Sequence, residues 1–237
     1  MPKSDHRPFA PAYFVTGTDT EVGKTHITCA LLWRARQDGL SAVGLKPVAA
    51  GTDASGSNED VAAIRACNTV DLRPEILNPY CFAPPIAPHI AAAEAGLEID
   101  FSVIAYAAES ARRQADWVLV EGAGGFCVPL GADRDSADLA VHLGLPVILV
   151  VGMRLGCINH ALLTAEAIAV RGLLLAGWVA NRVDPAMARF EENLLALRER
   201  LDAPLLGVVP FDPDSGRAAA HLTLPGNLGR EDASHFA

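Results

Sequence analysis

At 237 residues, 51% of them hydrophobic but only 6% aromatic, the chain is long enough for one large domain with a substantial aliphatic core. A formal net charge of −9 argues against nucleic acid, which would need a basic stripe, and the longest apolar run, residues 146–151, is far too short to span a bilayer. The five cysteines, at 29, 67, 81, 127 and 157, show neither C-x-x-C nor metal spacing, so a reducing cytoplasmic setting and buried packing for most of them are expected.

Residues 1–12 lack the apolar stretch of a signal peptide; with the segment beyond about 226 they are expected to be flexible tails of a single domain over 1–237. The first predicted strand is 12–16. A glycine-containing turn follows, and Gly23-Lys24-Thr25 opens an apolar-periodic stretch predicted as a helix over 24–37. Strand, glycine loop and helix make the setting of a phosphate-binding loop. Its N–H groups face an anion, Lys24 reaches the outer oxygens, and the Thr25 hydroxyl is placed to ligate Mg²⁺. Thr18 to Val22 put five residues between the glycines where the strict pattern has four. The competing reading is a surface turn that caps a helix.

The second predicted strand, 42–47, carries Lys46 at its end, where an ammonium would offset charge on a transferring phosphoryl group; a salt-bridged lysine is the plainer alternative. Residues 50–60 read as a polar flap and 68–89 as proline-rich and irregular. A helix over 101–114 leads to a strand over 117–121, which ends in Glu121-Gly122-Ala123-Gly124-Gly125. A carboxylate there is placed to face the phosphate loop as a Mg²⁺ ligand, with glycines that let backbone approach phosphates. Asp60 is the favoured third cation-facing group, with Asp53 and Glu59 as competitors. A strand over 146–151 runs into a glycine-bearing turn and a helix over 159–171; that helix start can bind a carboxylate, or Asn159 can merely cap it. Strands over 176–180 and 205–209 flank a helix over 186–200. They place Asn181-Arg182-Val183-Asp184 and Pro210-Phe211-Asp212 where a base would be read. His26, His89, His142 and His160 share no metal spacing and are read as structural. Strand–helix alternation of this kind implies an α/β fold, a parallel sheet with helices on both faces and ligands beyond the strand carboxyl ends.

The segments 13–25 (YFVTGTDTEVGKT), 46–49 (KPVA), 78–80 (NPY), 115–125 (ADWVLVEGAGG), 155–160 (LGCINH) and 176–181 (AGWVAN) together resemble the ATP-dependent dethiobiotin synthetases over nearly the whole chain, from Tyr13 to about Phe211. The resemblance implies a single-domain fold of the P-loop NTPase type and makes the five-residue loop spacing a family trait. It implies a cytoplasmic homodimer that joins 7,8-diaminononanoate and CO₂, with MgATP, through a carbamate and a carbamic-phosphoric anhydride to close a ureido ring.

Position by position, Lys46 and Lys24 match catalytic and phosphate-contacting lysines, and Thr25, Asp60 and Glu121 match Mg²⁺ ligands. Glu21, Val22, Gly23, His26, Gly122, Ala123 and Gly124 fall in the phosphate-side nucleotide set. Asn181, Arg182, Pro210, Phe211 and Asp212 fall at the adenine side. Thr20, Ala50, Gly156 and Asn159 fall on the substrate side, the last two reaching the substrate carboxylate across the dimer. Ala50 replaces the family's usual serine, at a cost of about 0.5–1.5 kcal/mol unless a neighbour such as Thr52 supplies the hydroxyl, and Asn193 stands in for a family tyrosine. The alternative is an ATPase or GTPase switch of the same fold without ligase chemistry. Lys46-Pro47-Val48 and the Cys157–His160 turn speak against it.

Overall fold

Parallel strands buried on both faces need near-continuous aliphatic runs, and those runs form the sheet of this computed structural model, which describes residues 9–226. In chain order the first elements are β1 (Ala12–Gly17), α1 (Lys24–Gln37), β2 (Ala42–Leu45), β3 (Val48–Ala50), α2 (Glu59–Cys67), α3 (Pro74–Leu77), β4 (Tyr80–Phe82) and α4 (Pro88–Glu94). There follow α5 (Phe101–Arg112), β5 (Trp117–Gly125), α6 (Ser136–Leu143), β6 (Val147–Gly152) and α7 (Cys157–Val170). β7 (Leu175–Asn181), α8 (Phe190–Arg198), β8 (Leu205–Val209) and the single turn α9 (Ser215–Ala218) complete the fold. The expected tails fall mostly outside the described residues.

Six strands pair in the order β2-β5-β1-β6-β7-β8, every neighbouring pair parallel. The expected α/β fold, with a parallel sheet and helices on both faces, is therefore present. Alternate residues of the central strands serve different cores. Ile148, Val150 and Val179 join the larger core with α1 and α5, whereas Leu149, Val151, Trp178 and Ala180 face Leu194 and Leu197 of α8 and Ala161 of α7.

Register explains why chemistry gathers at one edge. Val15 pairs with Glu121 and Leu45 with Val120, so Lys46, just past β2, and Glu121, within β5, come side by side near the end of β1 that leads into the phosphate loop; β5 itself runs on past the expected end at 121 to Gly125.

Some elements differ from expectation. Residues 68–89 are not irregular: they contain α3 and β4 and lead into α4, and β4 pairs in parallel with β3 as a small second sheet. Proline hid these helices, because Pro74 and Pro88 occupy the first helical turn, where a missing N–H costs nothing. The polar segment 50–60 conceals the start of α2, whose N-cap Asn58 accepts from Val61 N–H. α6, unassigned from sequence, begins with a capping box in which Asp138 takes the usual Glu or Gln position. Pro47 ends β2 at Leu45, and α7 begins at Cys157 behind Gly156, so Asn159 caps nothing. Among the described residues no helix is long and apolar enough to cross a membrane.

Candidate active site

The phosphate loop is held in a shape that only part of its sequence finds easy. Glu21 (φ 60°) and Gly23 (φ 81°) both lie in the left-handed region, where glycine is at ease and glutamate is not. Gly23 is also the N-cap of α1 and supplies no side-chain acceptor, so the first N–H groups of that helix lack a capping partner and suit an anion. Asn181 at the end of β7 donates from Nδ2 to the Val22 carbonyl at 2.9 Å and locks the loop to the sheet. A Cβ on Gly23 would meet that Nδ2 at 2.2 Å. Lys24 is buried and folds back to donate to the Asp19 carbonyl at 2.9 Å. Burial first, and then the neighbouring Lys46 charge, pull its pKa down to about 8.

Beside this loop stands a buried cluster. Glu121 is fully buried; its Oε1 accepts from Lys46 Nζ at 2.6 Å and from Thr25 Oγ1 at 2.7 Å, and its Oε2 accepts from Thr28 Oγ1 at 2.6 Å. Lys46 also donates to Asp60 Oδ2 at 3.0 Å. Burial works to neutralise the Lys46 ammonium, but Glu121 and Asp60, by charge and hydrogen bond, outweigh it and raise its pKa. Burial likewise opposes ionisation of Asp60, and Lys46 reverses that, holding the carboxyl below its ordinary value. The expected salt-bridged alternative for Lys46 is thus part of the site's own geometry.

These donors suit a hard cation. Two carboxylates and a hydroxyl supply only oxygen, and Mg²⁺ accepts such incomplete protein sets because water and phosphate complete its octahedron. Among the described residues no group of three or more His, Cys, Asp or Glu is arranged to hold a metal unaided. Of the competitors for Asp60, Asp53 accepts from Ser55 and Ser57, and Glu59 is exposed at the rim of the same cavity; of the three it is Asp60 that is bonded to Lys46.

A cavity of about 860 Å³ opens over the cluster. Thr20, Glu21, Lys46, Val48, Ala50, Glu59, Asp60, Ala123 and Gly124 line it, as do Asn58, Pro85, Ile86 and Val128, which the sequence did not single out. Asn58 missed notice because it sits in a Gly/Ser loop. It has two tasks: capping α2 through Oδ1 and donating from Nδ2 to the Gly51 carbonyl at 2.7 Å. Thr28 was also missed, although its position one turn after Thr25 puts both hydroxyls on one helix face. Thr52 lines an adjoining cavity with Gly51 and Glu59 and is not among the residues that line this one.

The remaining expected residues are spread around the loop. Gly122 is buried at the end of β5. The buried Nε2 of His26 has no partner, and burial lowers its pKa against the pull of Asp212 and Asp214. Asp212 is itself bound by Arg217 at 2.7 Å, which draws its pKa down to about 2. Pro210 and Phe211 are exposed, and Arg182 stacks over Phe190 with its guanidinium carbon 4.9 Å from the ring centroid. Gly156 and Asn159 are exposed at the start of α7 and do not line this chain's cavity. Asn193 donates to the Arg189 carbonyl at 2.7 Å on the outer surface.

An AAA-domain family model matches residues 11–219. Proteins named ATP-dependent dethiobiotin synthetase are similar at 63% identity in Aromatoleum aromaticum (91% of this chain, 98% of that one) and 52% in Ralstonia nicotianae (92% and 97%). Among solved structures, the cell division protein MinD of Aquifex aeolicus shares the fold with a TM-score of 0.51 at 16% identity, covering 89% of this chain and 86% of that one. The Mg-ADP complex of the septum site-determining protein MinD from Pyrococcus horikoshii gives 0.50 at 16%, covering 88% and 85%.

Proposed function

The chain belongs to the ATP-dependent dethiobiotin synthetase family, and we propose that it closes the ureido ring of dethiobiotin, in biotin biosynthesis, from 7,8-diaminononanoate, CO₂ and MgATP, releasing ADP and phosphate. The observation that carries this reading is the position of Lys46. Its ammonium is bonded to Glu121 beside the phosphate loop and also lines the large cavity, so one cation faces both a triphosphate and a second substrate.

In this mechanism the diamine lies in the cavity, and one amine adds to CO₂ and loses a proton to give a carbamate. The carbamate oxygen attacks the γ-phosphorus held by the loop amides and Lys24, and ADP leaves. The second amine then attacks the activated carbonyl, phosphate departs, and the ring closes. A carbamate is a weak nucleophile, so alignment and charge offset by Lys24 and Lys46 supply most of the catalysis. Thr25, Asp60 and Glu121 would hold Mg²⁺, which supplies charge neutralisation at the phosphate oxygens. No tuned histidine base is required.

The same reading makes the enzyme a homodimer in which the 156–159 turn of one copy binds the substrate carboxylate in the other copy's cavity. Its support is local: the turn is exposed, no side chain caps α7, and the adjoining Leu155 is 94% exposed. A cytoplasmic setting fits an ATP-consuming enzyme whose five cysteines are all free.

Incubation with the diamine, bicarbonate and ATP should yield a product with the mass of dethiobiotin and one ADP per ring. ATP turnover indifferent to the diamine would overturn the ligase reading in favour of a nucleotide switch.

A further inference from the structure

The phosphate loop carries a negative charge of its own. Lys24 Nζ donates to the backbone carbonyl of Asp19 at 2.9 Å, and the carboxylate of that residue accepts at Oδ1 from the Thr20 N–H at 2.8 Å. Thr20 and Glu21, the next two residues, line the large cavity. A bare carboxylate in this place repels the triphosphate that the loop is shaped to hold.

A cation from another element answers it. Arg154 Nη2 donates to Asp19 Oδ2 at 2.8 Å. The sheet brings the two together: β6 lies beside β1, and the Thr18 N–H donates to the Val150 carbonyl at 3.0 Å, so the chain leaving β6 passes along the loop. Backbone bonds on either side then fix the arginine. The Met153 N–H donates to the Asn181 carbonyl at 2.7 Å, and the Arg154 carbonyl accepts from the Cys157 N–H at 3.0 Å. As a source of stability the pair counts for little, because its side chains are 41% and 48% exposed. Its effect is local, on the charge and orientation of one carboxylate.

We propose that Arg154 is a positioning residue of the nucleotide site: acting through Asp19, it offsets the negative charge of the phosphate loop and pins the loop to the turn before α7, so that MgATP binds more tightly. The inference rests on the loop holding a triphosphate and not on the reaction that follows. A plain structural tie would lose as much from either end. Charge offset does not: without the arginine a carboxylate faces the phosphates unopposed, whereas without the carboxylate a cation remains beside them.

The test measures MgATP binding to the full chain by calorimetry without the diamine, which reads the loop whether or not a ring is closed. At roughly 20 mM salt Arg154→Met should weaken binding about two- to five-fold, the range open to an exposed pair, and the deficit should shrink at about 0.5 M as screening takes over. Arg154→Lys should bind like the parent and Arg154→Glu more weakly than Arg154→Met, with circular dichroism confirming each fold. Asp19→Asn, which keeps an Oδ1 acceptor for Thr20, should bind at least as tightly as the parent and should restore binding when added to Arg154→Met. Equal losses from Arg154→Met and Asp19→Asn, with no restoration in the double variant, would reduce the pair to a tie and overturn the proposal. Parent-like binding by Arg154→Met, or a deficit that salt leaves unchanged, would do the same. A parent protein that shows the expected pattern yet closes no ring would sink the ligase reading and still support this one.

Discussion

Lys46 and Lys24 lie within one buried cluster yet are electrostatic opposites. Lys46 is charged because two carboxylates hold it, whereas Lys24 has only a backbone carbonyl and feels Lys46 as a like charge. Lys46→Gln should therefore lower ring closure by about 100-fold or more, the scale of losing one transition-state donor. Equilibrium ATP binding should change only a few-fold, with circular dichroism confirming the fold. Normal turnover in that variant would remove Lys46 from the mechanism. For Lys24 the expectation concerns stability. Below about pH 8 folded and unfolded chains both carry its proton and the burial penalty is complete. Between there and the ordinary lysine value of 10.5 the unfolded chain holds the proton that the folded chain has shed, so stability rises with pH. Lys24→Met should accordingly exceed the parent by about 1–3 kcal/mol at pH 7 and lose most of that lead as the pH rises toward 10.5, as read by urea unfolding of the nucleotide-free protein. A gap independent of pH would contradict the assigned shift.

Among elements, the junction of β1, α1 and β7 is the least tolerant. Gly23 combines a left-handed backbone with contact against Asn181. Gly23→Ala should cost about 1–2 kcal/mol in backbone strain alone, a fall of about 2–8 °C in Tm at this chain length, and nucleotide affinity should fall with it. Adding Asn181→Ala should recover part of the Tm, because the amide then no longer blocks the new Cβ; no recovery would mean that φ accounts for the whole cost. The same scale shows why several elements escaped sequence reading. Helices α2 and α6 are nine and eight residues long, too short for a persuasive apolar period, and their starts are legible only through the caps Asn58 and Asp135. Prolines at the first turns of α3 and α4 look like breakers until the chain on either side is seen.

For the whole molecule, the proposed function would have the substrate pocket shared between two copies. The turn expected to bind the carboxylate does not line its own chain's cavity, and Leu163 of α7 is 57% exposed, as Leu155 of the turn is exposed. Leu155→Glu should shift the protein to monomer in sedimentation velocity and raise KM for the diamine several-fold, with KM for ATP nearly unchanged. A variant that stays dimeric with unaltered diamine KM would detach this surface from substrate binding.

The phosphate loop, the carboxylate that closes the aliphatic run of β5 and the lysine just after β2 were all legible in one dimension, because each follows an aliphatic run and parallel topology sends every such end to one edge. Local pattern also sufficed for the alternation of strand and helix. Other features required the folded chain. That Asp60, not Asp53 or Glu59, meets Lys46 depends on where α2 starts; that Asn181 grips Val22 depends on β7 lying two strands from β1. Such pairings join residues far apart in the chain through contacts only a few ångströms long, and no period or motif in a linear sequence encodes them.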